Sequence, residues 1–121
     1  MSVEVGTLRE LFRNLRAFRA YYESEQIDEI TAPNGTVWSL WDVEYLYSEC
    51  HRLSPRQQQA IELCLIANVS EKDAARMMGV SETNPVASYA TNGLKKMCAL
   101  IDQGELPRFR GNTEECDEEA A

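Results

Sequence analysis

One histidine, His51, and no CxxC pair occur in the 121 residues, although there are four cysteines, Cys50, Cys64, Cys98 and Cys116. Structural zinc sites draw on close-spaced Cys and His pairs, so the sequence argues against a metal centre. Cys64 and Cys98 read instead as small core residues on apolar helical faces. No glycine-rich phosphate loop is present, and the carboxylates of Glu23, Glu25, Asp28 and Glu29 fall in a stretch that reads as a solvated connection. No catalytic constellation emerges, so neither an enzyme nor a cofactor is expected. No apolar run approaches the roughly 20 residues of a membrane span. Arg9, Arg13, Arg16 and Arg19 stand where the apolar core of a secretory signal would lie, and a cytoplasmic location is expected.

Positive charge is also scarce: 12 Lys and Arg face 20 Asp and Glu, for a net charge of -8. Such a balance repels nucleic acid unless the charge is unevenly distributed. It is: residues 1–52 carry a net -4, residues 53–113 a net +1, and residues 114–121 five acids with no base. The final stretch, TEECDEEAA, is too polar and single-signed to bury a core. It is expected to form a disordered acidic tail, serving solubility or tempering the affinity of basic surfaces.

What is present is helical patterning. Leu8, Leu11, Phe12, Leu15, Phe18 and Tyr22 recur at spacings of three and four, which predicts one amphipathic helix over 7–24 with Thr7 as N-cap and Glu10 closing a capping box. Arg9, Arg13, Arg16 and Arg19 form a second stripe beside it. This stripe reads as a solvated face or as a surface for phosphates or an acidic partner. The apolar stripe exceeds what one helix contact consumes, so Leu8 and Phe12, with Arg13, Arg16 and Arg19, are the candidate residues for self-association or partner docking.

Glu29–Thr31 and Thr36–Trp38 are β-prone runs around Ala-Pro-Asn-Gly, a signature of one short hairpin near residues 29–38. A lone hairpin needs support, for which Trp38 and Trp41 are the expected anchors. Ser39 should then cap a helix running to about Arg52, with Leu40, Val43, Tyr47 and, next to them, Leu46 turned inward.

The strongest local signals follow. LSPRQQQAIELCLIANV places Ser54 at an N-cap, Pro55 at the first helical position and Gln57 at N3, a second capping box. SEKDAARMMG repeats the device with Ser70 and Asp73 and ends on Gly79, a helix-closing residue. Asn84 and Pro85 open a further helix. Two short helices, a glycine turn and a longer helix define a helix-turn-helix, whose second helix enters the DNA major groove. The fold class expected is therefore all-α, mainly helical, with a helix-turn-helix and the one short hairpin.

LSPRQQQAIEL, VSEKDAARMMGVSE and VASYATNGLKKM together resemble the C-terminal promoter-reading domain of bacterial sigma factors, region 4, and similarly built phage and actinobacterial regulators. The resemblance covers about residues 53–101. It implies double-stranded DNA as partner, a phosphate contact by Arg56, and a reading helix offering Ala87, Ser88, Tyr89, Thr91 and Asn92. The sequence departs from the pattern in having a turn one residue longer and alanine and tyrosine where the reading helix is usually basic.

Independently of the family, a helix from Pro85 turns Val86, Ala90, Gly93, Met97 and Leu100 to one side and Ser88, Thr91, Asn92 and Lys95 to the other. Asn pairs with adenine edges and Ser or Thr with several bases, while Arg56, Lys72, Arg76, Lys95 and Lys96 are the nearby cations. So few cations predict weak binding by the protein alone, strengthened in an oligomer or beside a partner. Three parts are expected: an N-terminal helix, hairpin and connecting helix (1–52), the region 4-like unit (53–104), and the acidic tail (105–121). Three functions fit: a DNA-binding transcription regulator, an interaction module docking RNA polymerase or another regulator, and a phage packaging or assembly component.

Overall fold

The computed structural model describes residues 3–32, 35–81 and 84–104; the acidic tail lies outside them. The N-terminal stripe folds as two helices, α1 (Val5–Arg13) and α2 (Leu15–Glu25). The expected single helix over 7–24 is thus corrected at both its start and its middle. Thr7 is not a cap, since the helix begins at Val5 after Glu4, and Thr7 is buried one turn inside it. The break falls at Asn14, whose φ of -101° and ψ of 8° leave the helical region while its Nδ2 donates to the Glu10 carbonyl at 2.8 Å. Asparagine side chains compete in this way for backbone partners. The two segments have different main partners: α1 packs on the C-terminal helix, whereas α2 packs on the helix that follows the hairpin.

Both segments bury most of their apolar face, Tyr22 remaining half-buried. Leu8 and Phe12 are 0% exposed, and Leu11, Leu15 and Phe18 are buried with them. Leu8 and Phe12, expected as docking residues, thus lie in this protein's own core. Phe12 meets the edge of Tyr47 at a centroid distance of 6.1 Å.

The hairpin pairs β1 (Glu29–Thr31) with β2 (Val37–Ser39) in antiparallel register, Ile30 opposite Trp38. The Ala32 amide donates to the Thr36 carbonyl, and Gly35 takes a φ of +90° that glycine adopts without strain. Trp38 is buried and donates through its indole N–H to Thr36 Oγ1 at 2.8 Å. Trp41 does not anchor the hairpin: it is 54% exposed and meets Tyr22 edge-on at 5.2 Å. Ser39 accepts from the Asp42 amide and so opens α3 (Leu40–Ser48). That register turns Leu40 and Val43 inward and leaves Trp41 at the surface. A 3₁₀ turn, Glu49–Arg52, extends α3 to the predicted end.

The second capping box forms as expected and opens α4 (Pro55–Ile61): Gln57 N donates to Ser54 Oγ, while Ser54 N donates to Gln57 Oε1. Ser54→Ala should lower stability by about 0.5–2 kcal/mol, read in urea unfolding; no change would mean that solvent replaces the cap. Past Ile61 the helix widens into a π turn, Glu62–Ile66, ended by Asn68 at φ 57°. Ser70 caps α5 (Glu71–Met78), and Gly79, at φ 74°, closes it while the Val80 amide bonds the Ala75 carbonyl, a Schellman ending. The last element, α6 (Asn84–Asp102), packs on α1, α4 and α5. Cys50 and Cys98 are core residues, and burial pushes their thiols up to about 12 and about 11.

Candidate nucleic-acid interface

α6 divides along its length. Val86, Ala90, Gly93, Leu94, Met97, Cys98 and Ile101 are buried, while Ser88, Asn92, Lys95 and Lys96 are exposed. The inward residues recur at three and four, as a helix on a core requires, so the fold presents a polar strip one residue wide per turn. Ala87 and Tyr89 are half-buried at its margins, and Tyr89 packs against the core.

Thr91 was placed on the outward face by periodicity, but the structure turns it toward α1. Its Oγ1 accepts a 3.0 Å hydrogen bond from Arg9 Nη2. Among the polar residues expected to read bases, Ser88 and Asn92 thus stand fully outward and Thr91 stands at the flank.

The predicted cations occupy different situations. Lys72, Lys95 and Lys96 are exposed. Arg56 donates to the Met78 carbonyl at 2.9 Å, bracing the end of α5 from α4. A carbonyl leaves the guanidinium charge intact, so Arg56 combines a strut with a free positive field. Arg76 pairs with Asp73 at 3.0 Å, both largely solvated; such a pair is worth about 0–1 kcal/mol and opens readily to a stronger partner.

The N-terminal stripe does not form one basic face. Arg13 pairs with Glu10, Arg16 donates to the Ala67 carbonyl at 3.2 Å, and Arg19 makes a two-pronged pair with Glu44. Hydrogen bonding to Glu44 holds the Arg19 guanidinium above its ordinary pKa, against the opposing effect of burial. Asn68 also donates to the Arg13 carbonyl. The arginines of α1 and α2 therefore tie the N-terminal helices to α3, to the loop before α5 and to α6. Arg9 is the residue that sequence reasoning passed over; only its membership of the arginine stripe marked it.

Two helices joined through a glycine-closed turn, with the second presenting a polar strip, define the helix-turn-helix class. Residues 44–97 match the family described as sigma-70, region 4. Over these residues the chain is similar to region 4, and the helix-turn-helix of α5 and α6 agrees with that likeness. The match covers less than half of the chain, leaving α1, α2 and the hairpin outside it. No curated protein and no solved structure matches the chain. Among the described residues no helix is long and apolar enough to cross a membrane.

Proposed function

We propose that the protein is a cytoplasmic, DNA-binding transcription regulator that uses α6 as its reading helix and gains full affinity only as an oligomer or beside a partner such as RNA polymerase. The observation that carries this reading is the exposed strip of Ser88, Asn92, Lys95 and Lys96 on a region 4-like helix-turn-helix. In this reading Ser88 and Asn92 meet base edges and Ala87 permits close approach. Tyr89 lines the groove edge, and Lys72, Lys95, Lys96, Arg56 and an opened Arg76 hold phosphates. Residues 1–52 act as the scaffold of the helix-turn-helix, and the acidic stretch at 114–121 opposes non-specific binding.

With about five phosphate contacts, log affinity should fall with log salt no more steeply than roughly -4 to -5 per protomer. Asn92→Ala should weaken a preferred site by about 1–3 kcal/mol and relax specificity, whereas Lys95→Ala should weaken all sequences alike and flatten the salt slope by about one. Titration of labelled duplexes at two salt concentrations checks both. If neither substitution changes DNA binding, α6 is not the reading helix.

A second reading, docking of RNA polymerase or another regulator, draws on the surface outside the strip. Trp41 and Met77 are 54% and 59% exposed, and aromatic residues and methionine are enriched where proteins meet. Loss of a polymerase pull-down on Met77→Glu with DNA affinity unchanged would favour it.

A further inference from the structure

Among the described residues, four arginines end on carboxylates: Arg13 on Glu10, Arg19 on Glu44, Arg52 on Glu49 and Arg76 on Asp73. Three end on neutral acceptors instead. Arg9 donates to Thr91 Oγ1, Arg16 to the Ala67 carbonyl and Arg56 to the Met78 carbonyl. Ala67 ends the π turn after α4, Met78 ends α5 and Thr91 lies on α6. Lys72, Lys95 and Lys96 have no carboxylate partner among the described residues and lie on α5 and α6. Of the six described Lys and Arg residues without a carboxylate partner, all but Arg16 are therefore on or against α5 and α6, in a protein of net charge -8.

We propose that Arg9 is a DNA-backbone contact, supplied to the helix-turn-helix from outside the region 4 match. The inference rests on α6 being the reading helix. Thr91, which holds the Arg9 guanidinium at 3.0 Å, stands three residues after Ser88 and four before Lys95, on the same side of the helix as both. Arg9 is only half-buried. Among the described residues only its Nη2 is engaged, so most of the five donors of its planar fork are open to a phosphate, whose geometry that fork matches. Thr91 acts as the rest that aims it. A half-buried guanidinium set on a hydroxyl gains far less than one set on an anion, and a phosphate running beside α6 supplies that anion. The bare reading helix noted in the sequence is thus supplemented by a cation from a helix distant in the chain.

The test is titration of the full-length protein against a random-sequence duplex over a range of sodium chloride, comparing wild type with Arg9→Ala, Arg9→Lys, Arg52→Ala and Lys95→Ala. Arg9→Ala should flatten the slope of log affinity against log salt by about 0.9, equivalent to about an eightfold loss at about 0.1 M salt. Arg9→Lys keeps the charge and should keep the slope. Arg52→Ala removes a cation already neutralised by Glu49 and should change nothing. Circular dichroism of each variant reports folding, and if Arg9→Ala is unfolded, Arg9→Gln, which removes the charge but keeps a long side chain with a donor for Thr91, decides through its slope: flattened by about 0.9 for a phosphate contact, unchanged for a strut. An unchanged slope in Arg9→Ala, with a lower melting temperature and with Lys95→Ala still flattening the slope, would reduce Arg9 to a strut and leave the reading helix intact. No salt-dependent affinity in the wild type would overturn the DNA reading itself, and this proposal with it.

Discussion

Phe12→Ala is expected to lower the unfolding free energy by about 3–5 kcal/mol. Domains of this kind have only about 5–15 kcal/mol in total, so the substitution should remove a large share of the stability. The ring has no exposed area and stands where α1 meets α3, edge-on to Tyr47. Its removal leaves a cavity that rigid helices on both sides cannot close, and the lost contacts add to the lost transfer energy. Urea unfolding followed by circular dichroism measures the effect. The same experiment separates a core role from a docking role. A loss below about 1 kcal/mol, accompanied by a smaller mass in sedimentation, would restore Phe12 to an interface.

The parts of the fold written in local chemistry were legible in the sequence. Ser39, Ser54 and Ser70 cap the helices that they were expected to open, and Gly79 closes α5 with the positive φ that marked it. The hairpin strands fall within a residue of the runs that flank Ala-Pro-Asn-Gly. Each of these features needs only three or four consecutive residues to be satisfied. The break at Asn14 was not legible, because a 3.6-residue period continues unchanged through a kinked helix. The π turn after Ile61 was hidden for the same reason. Trp41 misled because size and apolarity alone favour burial, whereas its place two residues beyond the Ser39 cap turns it outward.

The inward and outward faces of α6 were legible to a similar depth. Periodicity separated Ser88, Asn92 and Lys95 from Val86, Ala90 and Met97, and the burial of α6 follows that division. What periodicity cannot supply is which neighbour covers the flanks. Arg9 reaches Thr91 across 82 positions, Arg16 reaches Ala67 across 51, and Arg19 reaches Glu44 across 25. Four arginines with the same local setting thus meet a hydroxyl, a carboxylate on the same helix, a carbonyl and a carboxylate on another. Their fates depend on how α1 and α2 diverge at Asn14, which is a tertiary outcome.

Gly93→Leu should be the most damaging change on α6, costing about 3 kcal/mol, the upper end of overpacking, or more. A glycine inside a helix is less favourable than alanine by about 1 kcal/mol, so its presence in the middle of α6 calls for a compensating contact. That contact is with α4. A Cβ at position 93 would lie 3.0 Å from Ile61 Cδ1, 3.2 Å from Gln57 Cβ and 3.3 Å from Leu53 Cδ1. The two methyl groups can swing aside, but Gln57 Cβ is fixed to the α4 backbone. Alanine therefore sets a few tenths of an ångström of crowding against its better helix propensity, and Gly93→Ala should change stability by less than about 1 kcal/mol. Leucine has no such escape, since its branch would enter the space filled by Ile61 and Leu53, both buried. Either the side chains leave their rotamers or α6 lifts away from α4, and the second outcome also displaces Ser88, Asn92 and Lys95 from the orientation fixed by the core. DNA affinity should then fall by more than the unfolded fraction explains. Urea midpoints for the alanine and leucine variants, with duplex titration of whatever remains folded, give both numbers. A leucine variant as stable as the wild type would show that α4 and α6 are not held at backbone contact and that Gly93 is not what sets the pose of α6.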